Sequence, residues 1–337
     1  MISRRPFHRA QFEIAIFCAL PAEADAVRAL FDNYWDDGDP SFGRADGDTN
    51  AYSTGSIGRH NVVLVHMAGI GKGHAALASQ CRLSFTGIKL AIVAGTCGAV
   101  PLTPEDREIV LGDVIISTGI VEFDRGRQQT ERFVRSDKSW NTMGRPSVEV
   151  RAILRKLQGM HPRKKMQRKL AQYLEVLGDE PSLEAGYPGA AHDRLFEPTN
   201  SHRVQGQSCE ECGCGQEMVR RRFSQRQLRP LVHLGLLGSS DVMMQSGKHR
   251  DGIARSEGIL GFEMEAAGIW DSFPCVVIKG VSNYADSHKS KMWKRYAAAT
   301  SAACVKAFLD EWEPSSSLFQ GMFKPVVHSS AILLAVC

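Results

Sequence analysis

The chain reads as an α/β protein. Short Val- and Ile-rich runs of strand length alternate with longer stretches of helical spacing, and the strand runs are apolar throughout rather than alternating with polar residues. A strand that is apolar on both sides is buried on both faces, so helices must cover both sides of the sheet. In chain order the expected strands are 12–20, 61–67, 89–95, 114–117, 232–237 and 275–281, and the expected helices are 22–31, 72–85, 263–272 and 293–312. The last helix shows apolar positions three and four apart. The Asp- and Gly-rich stretch 32–50 is expected to be a loop.

From about 125 to 230 the alternation fails. The segment is polar, basic and punctuated by Pro and Gly, and reads as an insertion that is partly helical at 147–177. The core domain would then span 10–312. After Trp312 the run Glu313-Pro314-Ser315-Ser316-Ser317 has linker composition, so 313–337 reads as a linker or tail.

With 337 residues, 43% of them hydrophobic and 23% charged, the chain can fill one large core, and fibrous and globally disordered classes are excluded. Its net charge is only +4, but 151–170 holds eight Lys and Arg and no Asp or Glu. That run lacks interleaved aromatics, so a solvated helix face outweighs a nucleic-acid patch. Nine cysteines are too few for a disulfide framework at this length, and most lie in apolar runs, which points to a reducing, cytoplasmic setting. The basic start and apolar run at 12–20 suggest a signal peptide, but Glu13 and Pro21 break the run and suit a buried first strand better. No apolar stretch is long enough to cross a membrane.

Several motifs carry possible chemistry. Gly69-Ile70-Gly71-Lys72-Gly73 follows a strand and opens a helix, where amides can face an anion or a sugar hydroxyl; it also makes an ordinary tight turn. It lacks the Ser or Thr of a Walker loop, and His74 occupies the third glycine position of a dinucleotide fingerprint. Gly95-Thr96-Cys97-Gly98 ends a strand at the carboxyl edge, where ligands of open α/β sheets collect. In Glu263-Met264-Glu265-Ala266-Ala267-Gly268 two carboxylates flank a thioether at a helix start, a place the helix dipole alone would favour. The same pair could hold a ribose diol with Met264 packed on the sugar. Cys209-x2-Cys212-x-Cys214 resembles half a zinc site whose fourth ligand could be His202 or His233. With no second Cys pair, the cysteines read as surface residues of a polar loop and no metal or cofactor is assigned.

The order of these motifs is more specific than any one of them. Ala19-Leu20-Pro21-Ala22-Glu23, Ala68-Gly69-Ile70-Gly71-Lys72, Gly95-Thr96-Cys97-Gly98-Ala99, Leu111-Gly112-Asp113-Val114 and the run from Gly261 to Gly268 resemble the nucleoside phosphorylase and methylthioadenosine nucleosidase superfamily. The stretches Tyr187-Pro188-Gly189, Leu195-Phe196-Glu197-Pro198 and Tyr284-Ala285-Asp286-Ser287-His288-Lys289 are similar to one branch, the nucleosidase-like domains at the front of fungal NACHT, ankyrin or tetratricopeptide receptor proteins. The resemblance implies a three-layer α/β/α sandwich around a mixed sheet, a homo-oligomer, and a site at strand ends that takes a purine nucleoside or nucleotide.

It also implies roles. Where phosphorylase members bind phosphate through Arg, this chain has Glu23 and Val93, a poor setting for a dianion. Nucleosidase members have a water-activating Glu at the first position, which Glu23 matches. Hydrolysis is therefore the expected reaction, with Glu23 as base, Gly71 and Thr96 beside water and ribose, Glu263, Met264 and Glu265 around the ribose, and Met243 and Met244 against the base. One position departs from the family. The Asp that assists the leaving purine is replaced by Asn283, and an amide can donate a hydrogen bond but cannot deliver a proton. This leaves a phosphate-dependent phosphorylase and a catalytically impaired nucleoside-binding signalling domain as alternatives, with a nucleic-acid-binding module behind them.

Overall fold

Five strands supply the heart of the molecule: β1 (Ile14–Cys18), β4 (His60–His66), β5 (Leu90–Ala99), β6 (Val114–Glu122) and β12 (Cys275–Asn283). Around them lie β2 (Asn33–Tyr34), β3 (Ala51–Ile57), β9 (Thr142–Met143), β10 (Val232–Ser239) and β11 (Ile259–Glu263), while β7 (Gly126–Gln128) and β8 (Phe133–Arg135) form a separate hairpin. The helices are α1 (Pro21–Arg28), α2 (Ala75–Ser84), α3 (Val148–Gln158), α4 (Met160–Gly178), α5 (Gly247–Glu257), α6 (Ala266–Ile269) and α7 (Met292–Leu309). This computed structural model describes residues 4–36, 42–69, 71–130, 133–135, 142–143, 146–204, 207–214 and 229–313.

The sheet is mixed, in the order β11-β10-β6-β12-β5-β1-β4-β3-β2. β1 runs parallel to β4 and β5, β12 parallel to β5, and β10 parallel to β6 and β11. β12 is antiparallel to β6, and β11 turns back to pair antiparallel with the far end of β5 at Gly98 and Ala99. Strands β5, β12, β6, β10 and β11 thereby close into a ring, which removes one exposed sheet edge.

Alternate residues of the central strands feed two cores, as the pleat requires. Ile14, Ile16, Leu90, Ile92, Val276 and Ile278 point toward α1, α3, α4 and α7. Ala15, Phe17, Ala91, Val93 and Val277 point toward α2, α6 and the first turn of α7. The result is the expected three-layer arrangement.

Four expectations need correction. The strands expected to stop at 95 and 117 run on to Ala99 and Glu122. Residues 259–263 form β11, so the helix expected over 263–272 shrinks to the single turn α6. β3 and α5 were not anticipated. The insertion, polar and basic as its composition is, holds α3 and α4 at the expected place, yet Val150, Ile153, Leu154, Leu157, Met166, Leu170 and Leu177 enter the core. Its basic run also has partners: Lys156 and Lys165 reach Glu311, and Lys169 with Tyr173 reaches Asp310, so α3 and α4 are tied to the end of α7. The tail 314–337 lies outside the described residues. Among the described residues no helix is long and apolar enough to cross a membrane.

Candidate active site

The carboxyl ends of β1, β5, β11 and β12 converge on one cavity of about 190 Å³, the edge at which ligands of such sheets bind. From β1 and α1 come Leu20 and Glu23, and from β5 come Thr96, Cys97 and Gly98. β11 and its turn contribute Phe262 to Glu265, the loop after β10 contributes Val242 to Met244, and β12 contributes Ser282 and Asn283. Ala285, Lys289 and Lys294 complete the wall.

Glu23 is in the first turn of α1, fixed by a strand-to-helix corner with Pro21 at the first helical position. One carboxylate oxygen accepts from the Leu20 amide at 3.1 Å, and the other accepts from the Thr96 amide at 2.8 Å and the Thr96 hydroxyl at 3.0 Å. The glycine at 95 makes this possible. Its φ is +141°, and a Cβ there would lie 2.6 Å from the Glu23 carboxyl carbon. Burial raises the Glu23 carboxyl above its ordinary value; Lys279 pulls the other way, and Glu265 adds to the rise.

Lys279, on β12, is the residue that sequence reasoning missed. Its side chain is 1% exposed, with Nζ 2.8 Å from Glu265 Oε2 and 3.7 Å from Glu263 Oε2. A buried lysine must be paired, and a Lys in the apolar run Val276-Val277-Ile278-Lys279-Gly280-Val281 was the available signal. Burial opposes the Lys279 charge, but Glu265, Glu263 and Glu23 outweigh it and raise its pKa. Burial also opposes ionisation of Glu265, yet the charge and hydrogen bond of Lys279 hold its carboxyl below the ordinary value. Glu263 is different. Its carboxylate caps α6, accepting from the Glu265 and Ala266 amides, and burial pushes it up to about 7 against the pull of Lys279.

Thr96, Met243, Met244, Glu263, Met264 and Glu265 thus fall together with Glu23. Gly71 does not line the cavity; it lies against Asp241, beside the rim residue Val242. Asn283 does line it, at a register shift of β12 against β5. Its Nδ2 donates to Ser282 Oγ at 3.0 Å and its Oδ1 accepts from the Ala285 amide at 2.9 Å. Gly98 leaves room for it, since a Cβ there would lie 2.7 Å from Oδ1. Asp286 and His288, the other candidate proton donors nearby, are not on the cavity wall; Asp286 accepts from the His288 amide instead. Two lysines on the wall were not anticipated either. Lys289 still reaches solvent, but desolvation by its surroundings, helped by Lys294 and opposed by Asp286, lowers it to about 8.

This is the fold of a nucleoside phosphorylase-like α/β protein. A family model described as the Phosphorylase superfamily matches residues 13–310, and the chain belongs to that superfamily. It is 30% identical over 307 residues to a nucleotide-binding leucine-rich repeat (NLR)-like protein of Hyaloscypha variabilis, a match that covers 89% of this chain and 29% of that protein. The chain therefore spans about three tenths of the length of this relative. Among solved structures it is similar to the Helicobacter pylori 5′-methylthioadenosine/S-adenosyl homocysteine nucleosidase complexed with a pyrrolopyrimidine-bearing pyrrolidinol (TM-score 0.54, 16% identity, 90% of this chain and 99% of that one). It is also similar to the futalosine hydrolase of Helicobacter pylori (TM-score 0.54, 15% identity, 90% and 99% covered). At these identities the likeness is one of fold.

Proposed function

We propose that the chain is a purine nucleosidase that breaks the purine–ribose bond with water. The observation that carries this reading is Glu23: a buried carboxylate, held rigidly by Leu20 and Thr96 at the cavity wall, with burial raising it toward the range useful for a general base. Water between Glu23 and the sugar would lose its proton to Glu23 as it adds to the anomeric carbon. Glu265 would accept from the ribose diol through Oε1, the oxygen engaged by neither Lys279 nor the Met264 amide, and Met264 would pack against the sugar. Met243 and Met244 would cover the base, and Asn283 would donate a hydrogen bond to the leaving purine.

Phosphorolysis is disfavoured because Lys279, the buried cation that acts on Glu23, is engaged by two carboxylates and Val93 is sealed in the core. The site resembles in reaction class the nucleosidases and hydrolase that share its fold. Lys289 and Lys294 on the same wall favour a purine nucleotide over a neutral nucleoside, because a phosphate would gain charge-assisted hydrogen bonds there. The test is a panel of purine nucleosides and nucleotides in phosphate-free buffer, followed for free base. Release by the wild type and its loss in Glu23→Gln are expected; equal release by the variant removes Glu23 from the chemistry.

A further inference from the structure

We propose that Cys209, Cys214, His202 and His288 form a tetrahedral zinc site that fastens the insertion to the segment following Asn283. The cysteines expected to be surface residues are not: Cys214 is 1% exposed, Cys212 is 9% exposed and Cys209 is half-buried. Of the two histidines considered from sequence, His233 lies on β10 and contacts Asp113 at 2.8 Å, whereas His202 sits among the three thiols. His288, which no metal-ligand spacing marks in the sequence, joins it from a distant segment of the chain. The ligand atoms of His202, Cys214 and His288 all lie within 4.8 Å of one another.

The distances suit the metal. His202 Nδ1 is 3.6 Å from Cys214 Sγ and 3.8 Å from Cys209 Sγ. Zinc bonds of about 2.3 Å to sulfur and about 2.0–2.1 Å to nitrogen at tetrahedral angles put sulfur and nitrogen ligands about 3.6 Å apart. His202 Nε2 is 3.0 Å from the Gln207 carbonyl, so the ring proton belongs on Nε2 and Nδ1 presents its lone pair to the two thiols. A backbone carbonyl that fixes the tautomer of a ligating imidazole is the usual support of a zinc-bound histidine. Cys212 faces the other ring nitrogen, 3.6 Å from His202 Nε2, which the Gln207 carbonyl already engages, and it donates to the Val204 carbonyl and the Gln207 side chain at 3.7 and 3.5 Å, so it is left out of the ligand set. Phe196 stacks on His288 with ring centres 3.9 Å apart and closes the site from one side.

Two thiols with two imidazoles select zinc over magnesium or calcium, which take oxygen ligands. A purely apolar cysteine cluster would give no role to two imidazoles beside Cys214. Binding would release the two thiol protons, so affinity should fall as the pH is lowered. The site would join 202–214 to 286–289, next to the hydrogen bond from the His202 amide to Ser287 Oγ and one residue from Lys289 on the cavity wall. The inference stands apart from the proposed reaction.

The test is metal analysis of the full chain purified without chelator. One zinc per chain is expected, as for a four-ligand structural site, with loss in Cys214→Ser and in His288→Ala and retention in Cys212→Ser. Because loss of a ligand can unfold the first two variants, cobalt is titrated into the chelator-treated wild type as a second readout. Thiolate-to-cobalt charge transfer with intense tetrahedral visible bands is expected, together with protection of Cys209 and Cys214, but not Cys212, from alkylation. Wild type that neither retains zinc nor binds cobalt overturns the proposal, as does a Cys209–Cys214 disulfide in the freshly purified protein.

Discussion

One cation, Lys279, sits among the carboxylates Glu263, Glu265 and Glu23, and this ratio governs the cavity. The pair Glu263 and Glu265 divides its roles by environment: the first is raised and spent on capping α6, while the second is kept ionised by Lys279 and faces the ligand space. Removing the Glu265 charge would leave the buried Lys279 with only the longer 3.7 Å contact to Glu263, and breaking a buried ion pair usually costs about 3–5 kcal/mol, so Glu265 serves the fold as well as the site. Glu23 must be ionised to take a proton. Its carboxyl is raised, so kcat/KM should fall on acidification with an apparent pKa above the ordinary 4.5, and a pH–rate profile checks this. A rate that stays flat down to that value would contradict its role as base. Asn283→Asp should speed cleavage by about tenfold or more, since a positioned general acid is typically worth about 10²–10⁴-fold. The site can accommodate it, because the Ser282 hydroxyl, which now accepts from Asn283 Nδ2, can rotate to donate to a carboxylate. A fast wild type that the substitution slows would sink this account of the leaving group.

At the scale of elements, the central strands were legible because burial on both faces leaves unbroken Val and Ile runs, as in β1, β4 and β12. Their ends were not. Gly95, Thr96 and Gly98 read as breakers, yet in β5 they are small for the sake of Glu23 and Asn283, which occupy the space a side chain would fill. The segment at 259–265 has helical composition, but pairing on both sides, to β10 and to β5, makes its first half a strand. β3, with Ser, Thr and Gly, and α5, with two Gly, carry no periodic signal strong enough to find them. Apart from Gly71, the site residues marked by motif line the cavity; Lys279, Lys289 and Lys294 were not marked, because a lysine's partners come from distant chain segments. α4 shows what composition hid, since a polar, basic helix still buries Met166, Leu170 and Leu177. Leu170→Ala should therefore lower stability by about 2–5 kcal/mol, read from urea unfolding. A loss below about 0.5 kcal/mol, the range of ordinary surface substitutions, would mean that α4 is a detachable addition.

At the scale of the whole molecule, three layers and a closed strand ring bring residues from 20 to 294 to one cavity, so no fragment of the motif series could build it alone. The chain corresponds to about three tenths of the length of its NLR-like relative. The claim that decides the rest is that water, not phosphate, attacks the sugar. The direct measurement is the identity of the sugar product when the purified protein cleaves a purine nucleoside or nucleotide in phosphate buffer. The account predicts a free reducing sugar, formed at the same rate without phosphate. A ribose 1-phosphate product, with turnover that vanishes when phosphate is withdrawn, would contradict it.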